Sequence, residues 1–344
     1  MSARRVTVFG AYGHTGRFVV AELLRRGWTP MLAGRDAAKL DAFGASHPAL
    51  ERRVAHIDDA ASLDRALTGA VAVINAAGPF LDTATPLVDA ALRAGAHYLD
   101  LTAEQQSVLD TFERHGAAAR DAGIVVLPGM AFYGGLADLL ATAAIGDWPD
   151  ADAIDVAVAL DSWHPTAGTR LTGQRNHHRR RVIANGRLDF LPDPAPTREW
   201  TFAAPFGAQA MVALPFSETV TISRHLPVRE LHSYLNLAAL ADVRDPATPA
   251  PVVDAMHGRS AQRFALDVTV RRGDAVRRQA AYGHDIYAVT APLVVEALER
   301  IVDGRCRRSG AVAAGEAFDA PDFLAALAAD GIAAAMPSAQ VTAR

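Results

Sequence analysis

The sequence contains only one cysteine among its 344 residues, and this shortage excludes two kinds of site. With Cys306 alone, the chain forms no internal disulfide and no zinc site that needs several cysteines. It also contains one lysine among 34 basic residues. Lys39 has neither a phosphate-binding loop nor a catalytic tyrosine at the required spacing around it. The sequence therefore excludes Schiff-base lysine chemistry, a Tyr-x-x-x-Lys catalytic pair and a P-loop lysine.

The chain also lacks a strong excess of charge and any long apolar run. Its 34 basic and 38 acidic residues give a net charge of −4, which argues against nucleic acid or a membrane surface as partner. No apolar run reaches the ~18 residues that a membrane helix needs. The short segment after Arg4-Arg5 does not fit a signal peptide. We expect a soluble, cytoplasmic protein.

Metal-binding and hydrolytic patterns are equally weak. His177 and His178 are adjacent, so on a strand they point to opposite faces, and His225 and His232 have no acid or cysteine arranged around them. The serines lack the strand–turn–helix context of a nucleophile elbow. We expect no metal site and no hydrolase chemistry.

The first 146 residues alternate short apolar runs with amphipathic stretches. Predicted strands lie at 5–10, 30–34, 53–57, 70–76, 97–101 and 124–128. Predicted helices lie at 15–26, 36–45, 60–67, 86–94, 104–122 and 136–145. This alternation is typical of right-handed βαβ units and a parallel sheet. We predict an α/β protein with an N-terminal Rossmann-type, doubly wound parallel sheet, followed by a second, α+β domain that holds the substrate.

After residue 150 the pattern changes to short runs that resemble antiparallel strands. These runs lie at 155–160, 180–184, 201–204, 210–214, 219–223, 264–271 and 276–282, with a hairpin turn at Asn185-Gly186. Residues 291–302 predict a helix, and the alanine-rich C-terminal segment reads as helical or frayed. The predicted division is a dinucleotide-binding domain (1–148), a substrate or oligomerisation domain (149–285), and C-terminal helices (286–344) that pack back on the first domain. The sequence leaves open whether the chain forms a homo-oligomer.

A glycine-rich turn connects the first predicted strand to the first helix. In the G-x-x-G-x-x-G spacing, Gly10 permits a tight turn, Gly13 allows backbone N–H groups to approach a pyrophosphate, and Gly16 allows close packing of helix on strand. The helix N-terminus adds partial positive charge. A purely structural glycine turn is the alternative. The predicted cofactor-binding residues of this turn are Gly10, Tyr12, Gly13, His14, Thr15 and Gly16.

The end of the second strand predicts which dinucleotide is bound. NADP sites tend to place an arginine there, and this sequence has Arg35, which can pair with a 2′-phosphate. Asp36 leaves room for NAD, but it also fits the N-cap of the next helix. The small residues after the fourth strand would pass close to the nicotinamide-side ribose. We therefore predict NADPH as cofactor, with Asn75, Ala76, Ala77 and Gly78 as further contacts.

Four segments of this region resemble a known family. They are Gly10-Ala-Tyr-Gly-His-Thr-Gly-Arg17 and the segments 32–40, 74–80 and 96–102. Together they are similar to the saccharopine dehydrogenase-like oxidoreductases, and most of all to the trans-acting enoyl reductase branch. The resemblance is good over residues 1–145, fair over 283–325 and poor between. It implies a Rossmann-type domain, an NADP-type cofactor and reduction of a C=N or C=C bond, but it supplies no catalytic residues.

Two residues at strand ends are candidates for the proton source of such a reduction. Asp100 ends the fifth predicted strand and Tyr133 follows the sixth, so either could face the nicotinamide. Asp100 could instead cap the following helix, and Tyr133 could be a half-buried aromatic between the domains. We predict an NADP-dependent reductase of an enoyl C=C bond. The alternatives are an imine reductase that joins an amine to a keto acid, and a non-catalytic NADP-binding sensor or partner protein.

A basic segment suggests what charge the substrate carries. Residues 162–188 contain six arginines and no acid, which creates a local positive field that would attract an anion. Arg170 and Arg175 are the predicted contacts to a small, anionic substrate. A solvated hairpin is the alternative interpretation.

Overall fold

The computed structural model describes residues 4–254 and 258–341. The first sheet is entirely parallel and has the strand order β3-β2-β1-β4-β5-β6-β15. Its strands are β1 (Arg5–Phe9), β2 (Thr29–Gly34), β3 (Arg52–Val54), β4 (Ala72–Asn75), β5 (His97–Asp100), β6 (Val125–Leu127) and the C-terminal β15 (Gly310–Ala311). The order reverses between β1 and β4, which opens a ligand-binding crevice at their carboxyl ends. The predicted Rossmann-type sheet is confirmed.

The helices of this half follow the strands as the sequence predicts. They are α1 (His14–Arg25), α2 (Ala37–Gly44), α3 (Ala60–Leu67), α4 (Phe80–Ala94), α5 (Gln105–Asp121) and α6 (Ala137–Ile145). Asp36 and Asp59 cap α2 and α3, because their side chains accept hydrogen bonds from the N–H groups of Lys39 and Ser62. A short π-helical turn, Phe132–Leu136, joins β6 to α6 and bends the chain at Gly134, whose φ is +96°.

The second sheet is mixed, with the order β10-β11-β12-β7-β13-β14-β16 and with β8 and β9 added beside β12. Among the described strands of this sheet, β12 and β7 are the one pair that runs parallel. The strands are β7 (Ala151–Leu160), β8 (Arg181–Ala184), β9 (Arg187–Phe190), β10 (Thr197–Thr201), β11 (Ala208–Ala213), β12 (Val228–Asn236), β13 (Arg263–Arg272), β14 (Ala275–His284) and β16 (Ala333–Val341). The remaining helices are α7 (Ala167–Arg175), α8 (Glu218–Ser223), α9 (Leu237–Arg244), α10 (Thr290–Val302), α11 (Ala314–Ala317) and α12 (Ala320–Leu327).

Several predictions for this half were wrong. The run 219–223 is rich in β-branched residues and was predicted as a strand, but it forms α8, buried against α5 and α6. The strand predicted at 201–204 lies earlier, at β10, and β12 was missed. The alanine-rich C-terminus forms α11 and α12 but ends in β16, which pairs with β14 at the sheet edge. The hairpin turn is confirmed, with positive φ at both Asn185 and Gly186.

The C-terminal segment contributes to both halves of the molecule. Helix α10 packs against α1, and Arg26 joins them through ion pairs of 2.7 and 2.8 Å to Glu296 and Glu299. Strand β15 extends the first sheet, whereas β16 extends the second. We keep the domain boundaries at residues 148 and 285 as a proposal. Within the described ranges, no helix combines the length and the apolar character needed to cross a bilayer.

Candidate active site

A cavity of about 1360 Å³ runs along the carboxyl edge of the first sheet. One end is formed by the glycine-rich turn at Gly10 and by Arg35 after β2. Its opposite wall comes from the second half of the chain, including Thr169 of α7, Arg180 and Phe216. A single space therefore connects the predicted dinucleotide site to residues that lie more than 100 positions later in the sequence.

The glycines of the turn are required by close backbone packing. Gly10 has a φ of +87°, and a Cβ added there would lie 2.9 Å from the Cβ of Ala77. A Cβ at Gly16 would lie 2.2 Å from the carbonyl oxygen of Gly10. The turn consequently brings the start of α1 directly over the ends of β1 and β4.

The same turn presents backbone donors at the N-terminus of α1. In the described part of the chain, the backbone N–H groups of Tyr12, His14, Thr15 and Gly16 have no acceptor. Free N–H groups at a helix N-terminus, together with the helix dipole, favour a phosphate. The turn therefore fits the pyrophosphate of a dinucleotide.

Arg35 lies at the rim of the cavity with its side chain exposed. Within residues 4–254 and 258–341 it forms no ion pair, so it is available to an incoming phosphate. Asp36 is already engaged, because it caps α2 and pairs with the Nζ of Lys39 at 3.3 Å. Tyr12 covers Gly34 and accepts a hydrogen bond from the N–H of Asp36. This arrangement favours a 2′-phosphate over the free ribose hydroxyl of NADH.

Asn75 shapes the cavity without lining it. Its buried amide donates to Thr83 and Tyr98, and its side-chain oxygen accepts from the N–H of Ala77 at 3.1 Å. Ala76, Ala77 and Gly78 do line the cavity. Asn75 therefore holds the loop that lines the cavity and does not itself face the cavity.

Asp100 is fully buried and does not line the cavity. Its carboxylate accepts hydrogen bonds from the N–H groups of Gly129 (2.7 Å) and Thr102 (3.0 Å) and from the hydroxyl of Tyr98 (2.9 Å). Burial raises the pKa of Asp100 to about 6, although these three donors oppose the shift. Asp100 joins the carboxyl ends of β5 and β6, so the structure places it behind the site.

Tyr133 does lie on the cavity wall. Its hydroxyl is buried and has no hydrogen-bond partner in the described part of the chain. The ring packs against Phe216 at 4.2 Å and Trp163 at 5.7 Å between centroids. Burial raises the pKa of Tyr133 well above its usual value, so the hydroxyl keeps its proton and serves as a hydrogen-bond donor.

Glu104 is a candidate that the sequence analysis did not single out. It lines the cavity, and its Oε1 accepts a hydrogen bond from the N–H of Phe80 at 2.8 Å. Its Oε2 is buried without a partner in the described structure. Burial raises the pKa of Glu104 to about 7, and the charges of Asp100 and Asp82 add to the shift. Its position just after β5, at the sheet's carboxyl edge, was the signal available in the sequence.

The basic segment forms α7 and the approach to β8. Arg170 lines the cavity but donates to the carbonyl oxygens of Asp245 and Thr248. Arg175 pairs with Asp82 at 2.6 Å and does not line the cavity. The two predicted substrate contacts are thus largely engaged with the protein itself. Farther along the segment, Arg179, Arg180 and Arg181 line the cavity.

His14 lines the cavity and contacts residues from both the N-terminal and the C-terminal part of the chain. Its ring makes edge contacts with Phe18 and Tyr287, both at 5.2 Å between centroids. Burial lowers the pKa of His14, so the imidazole is neutral at physiological pH. In the described ranges, no group of three His, Cys, Asp or Glu side chains is placed to hold a metal ion.

Comparison with known proteins agrees with this geometry. Residues 6–127 match the family model described as the saccharopine dehydrogenase NADP binding domain. The chain is 30% identical over 152 residues to the human saccharopine dehydrogenase-like oxidoreductase and 28% identical to that of Bos taurus. Each match covers 39% of this chain and 35% of the relative, so the chain spans about a third of the length of these relatives.

The fold is shared over nearly the whole chain with one solved structure. The saccharopine dehydrogenase (L-Glu forming) of Saccharomyces cerevisiae, in its apo form, superposes with a TM-score of 0.67. The match covers 96% of this chain and 99% of the yeast protein, at 12% sequence identity. At that identity the similarity establishes the fold, including the second half where the sequence resemblance is poor.

Proposed function

We propose that this chain, whose residues 6–127 match the model of the saccharopine dehydrogenase NADP binding domain, is an NADPH-dependent reductase of a small organic acceptor. The observation that carries the proposal is the continuous cavity. It joins a glycine-rich phosphate site, a free arginine at Arg35 and a wall with unpaired acid and hydroxyl groups. The substrate is a small molecule, and the location is cytoplasmic.

The bound cofactor would supply the hydride, and the protein has to bind, orient and supply a proton. The turn at Gly10–Gly16 and Arg35 would hold the phosphates. Tyr133 would donate a hydrogen bond to the oxygen that conjugates with the acceptor double bond, because its buried hydroxyl lacks any other partner.

Glu104 is the proposed proton donor. The backbone N–H of Phe80 fixes one carboxyl oxygen, and the other oxygen is unpartnered at the cavity wall. With a pKa of about 7, the carboxyl carries a proton in part of the molecules at neutral pH. Tyr133 is a poorer acid, since burial makes its phenolate costly. The proposed role of Asp100 is to position the loops after β5 and β6, whose N–H groups donate hydrogen bonds to its carboxylate.

We place an enoyl C=C bond first and an imine C=N bond second as the acceptor. A panel of enones, enoate esters and preformed imines, followed by NADPH absorbance at 340 nm, separates the two. Turnover of imines alone would instead support the alternative reaction, the reduction of an imine formed from an amine and a keto acid. Tight NADPH binding without turnover of any panel member would support a non-catalytic binding protein.

The proton-donor assignment is tested with Glu104→Gln, which retains an oxygen for the N–H of Phe80. We expect kcat to fall by roughly 10²–10⁴-fold, while NADPH affinity stays within about twofold. In the wild type, kcat should decline as pH rises above about 7, because the donor loses its proton.

A matched control is Glu218→Gln. Glu218 is also buried, accepts from a backbone N–H with one oxygen, leaves the other unpartnered and has a pKa raised by burial, but it does not line the cavity. This variant should retain the decline in kcat above pH 7. Because Glu218 lies near Arg180, kcat is compared at saturating substrate. Equal losses of kcat in the two variants, or a wild-type kcat that stays constant up to pH 9, would refute the role of Glu104.

A further inference from the structure

We propose that Arg180 binds a carboxylate of the substrate and that the aromatic wall beside it holds a flat, apolar body, so that the acceptor is an amphipathic organic acid. This inference rests on the proposed function and names the substrate class of the same cavity. It replaces Arg170 and Arg175, whose side chains are engaged elsewhere.

Arg180 is held in place at the cavity wall. Its Nη1 donates to the carbonyl oxygen of Pro215 at 2.5 Å, and its guanidinium carbon lies 4.7 Å from the centre of the Phe216 ring. Nε and Nη2 have no acceptor in the described structure. These two nitrogens form one edge of the guanidinium, which matches the two oxygens of a carboxylate.

The charge of Arg180 is only partly compensated. In residues 4–254 and 258–341 no carboxylate lies within ion-pair distance of it. Burial lowers the pKa of Arg180, the nearby Glu218 opposes that shift, and the positive charge of Arg244 adds to it. An anion bound here would restore the balance, since a buried charge is costly without a partner.

The guanidinium groups of four other arginines in the segment have different contacts. Arg179 and Arg181 stack over Phe190, with guanidinium carbons 4.2 and 5.0 Å from its ring centre. Arg170 donates to backbone carbonyls, and Arg175 has its acidic partner. Arg179 and Arg181 also line the cavity, but among these five arginines only Arg180 is fixed by a backbone hydrogen bond while its Nε–Nη2 edge has no acceptor in the described structure.

The space beside Arg180 is apolar and bounded by flat rings. Tyr133 and Trp163 lie 5.7 Å apart, and Phe216 lies 4.2 Å from Tyr133, all between centroids. Leu214, Leu240 and Val243 also line the cavity, as does the cationic Arg244. Such a wall suits an aromatic or conjugated body and offers little to a strongly polar one.

The test uses trans-cinnamate as probe, and its neutral isostere cinnamamide as the paired ligand. Both are titrated calorimetrically into the full chain with saturating NADP⁺. We expect cinnamate to bind at least tenfold more tightly than cinnamamide. Arg180→Gln should weaken cinnamate binding by about 10- to 100-fold and leave cinnamamide and NADPH unchanged.

Arg175→Gln is the matched control, because it removes the same charge from the same segment outside the cavity; its cinnamate affinity should stay within twofold. Equal binding of acid and amide, no binding of cinnamate, or wild-type affinity in Arg180→Gln would each overturn the assignment. Preference for phenyl phosphate over cinnamate would overturn the carboxylate as the recognised group. A failure of NADPH to bind, measured in a separate titration without the organic ligand, would instead refute the proposed function.

Discussion

The proposed preference for NADPH over NADH rests on Arg35, and removal of this side chain tests it. Arg35→Ala removes a guanidinium that is exposed at the cavity rim and forms no ion pair in the described structure. Folding should therefore be unaffected, with a urea midpoint within experimental error of the wild type. The change should appear only when the dinucleotide binds.

The size of the effect follows from the exposure of the side chain. A charge-assisted hydrogen bond contributes ~1.5–3 kcal/mol, and solvent at the rim favours the lower part of that range. At ~1.4 kcal/mol per decade, about 1.5–2 kcal/mol corresponds to a roughly 10- to 30-fold loss of NADPH affinity. NADH lacks the 2′-phosphate, so its affinity should change by less than about twofold.

Calorimetric titration of both dinucleotides into wild type and Arg35→Ala measures this difference. Lys39→Gln is the control, because Lys39 pairs with Asp36 and should contribute little to phosphate binding. Raising the salt concentration should narrow the preference of the wild type, since the contact is exposed to solvent. Equal affinity of the wild type for NADPH and NADH would refute the assignment.

Four further variants, at three residues, test the packing and the buried hydrogen bonds of the fold. Gly16→Ala places a Cβ 2.2 Å from the oxygen of Gly10, so unfolding in urea should show a loss of about 1–3 kcal/mol and calorimetry a weaker NADPH affinity. Asp100→Ala leaves three buried donors without their acceptor, so the free energy of unfolding should fall by at least ~3 kcal/mol. Asp100→Asn should retain turnover. Loss of turnover in a stably folded Asp100→Asn variant would instead identify Asp100 as the proton donor. Burial lowers the pKa of His225, but the negative charge of Asp138 and its hydrogen bond at 2.7 Å raise that pKa overall. The pair therefore stabilises the fold fully below pH ~6.5, and this stabilisation is lost as the pH rises through the raised pKa. Asp138→Asn should remove this dependence, and an unchanged pH profile of the urea midpoint would contradict it.

The N-terminal half could be predicted from the sequence because its signals are local. Each strand is a short buried run followed by an amphipathic helix. The ends of four of these helices are marked by glycines with positive φ, namely Gly27, Gly69, Gly95 and Gly123. The turn at Gly10 is equally local, since its spacing alone places free N–H groups at the start of α1. Tyr133 at the cavity wall also follows from its place after a strand.

The sequence was less informative where pairing partners are distant. Residues 219–223 have strand-like composition, but burial between α5 and α6 favours a helix that satisfies its own backbone hydrogen bonds. Strand β16 has an alanine-rich sequence suited to a helix, yet pairing with β14 determines its conformation. Propensity is a weak preference that tertiary contacts readily override.

The sequence by itself therefore determined the parallel sheet, the glycine-rich turn and the position of Arg35 at the end of β2, where we propose that it binds the 2′-phosphate. Only the tertiary structure decided which ionisable groups reach the cavity. Asp100 is turned into the protein by three donors, Glu104 is brought to the wall, and Arg180 rather than Arg175 lacks an acidic partner there. The reason is physical: a helix or turn depends on neighbours a few residues away, whereas burial and charge pairing depend on segments that meet only in the folded chain, such as those of Gln105 and Arg181, which are 76 residues apart.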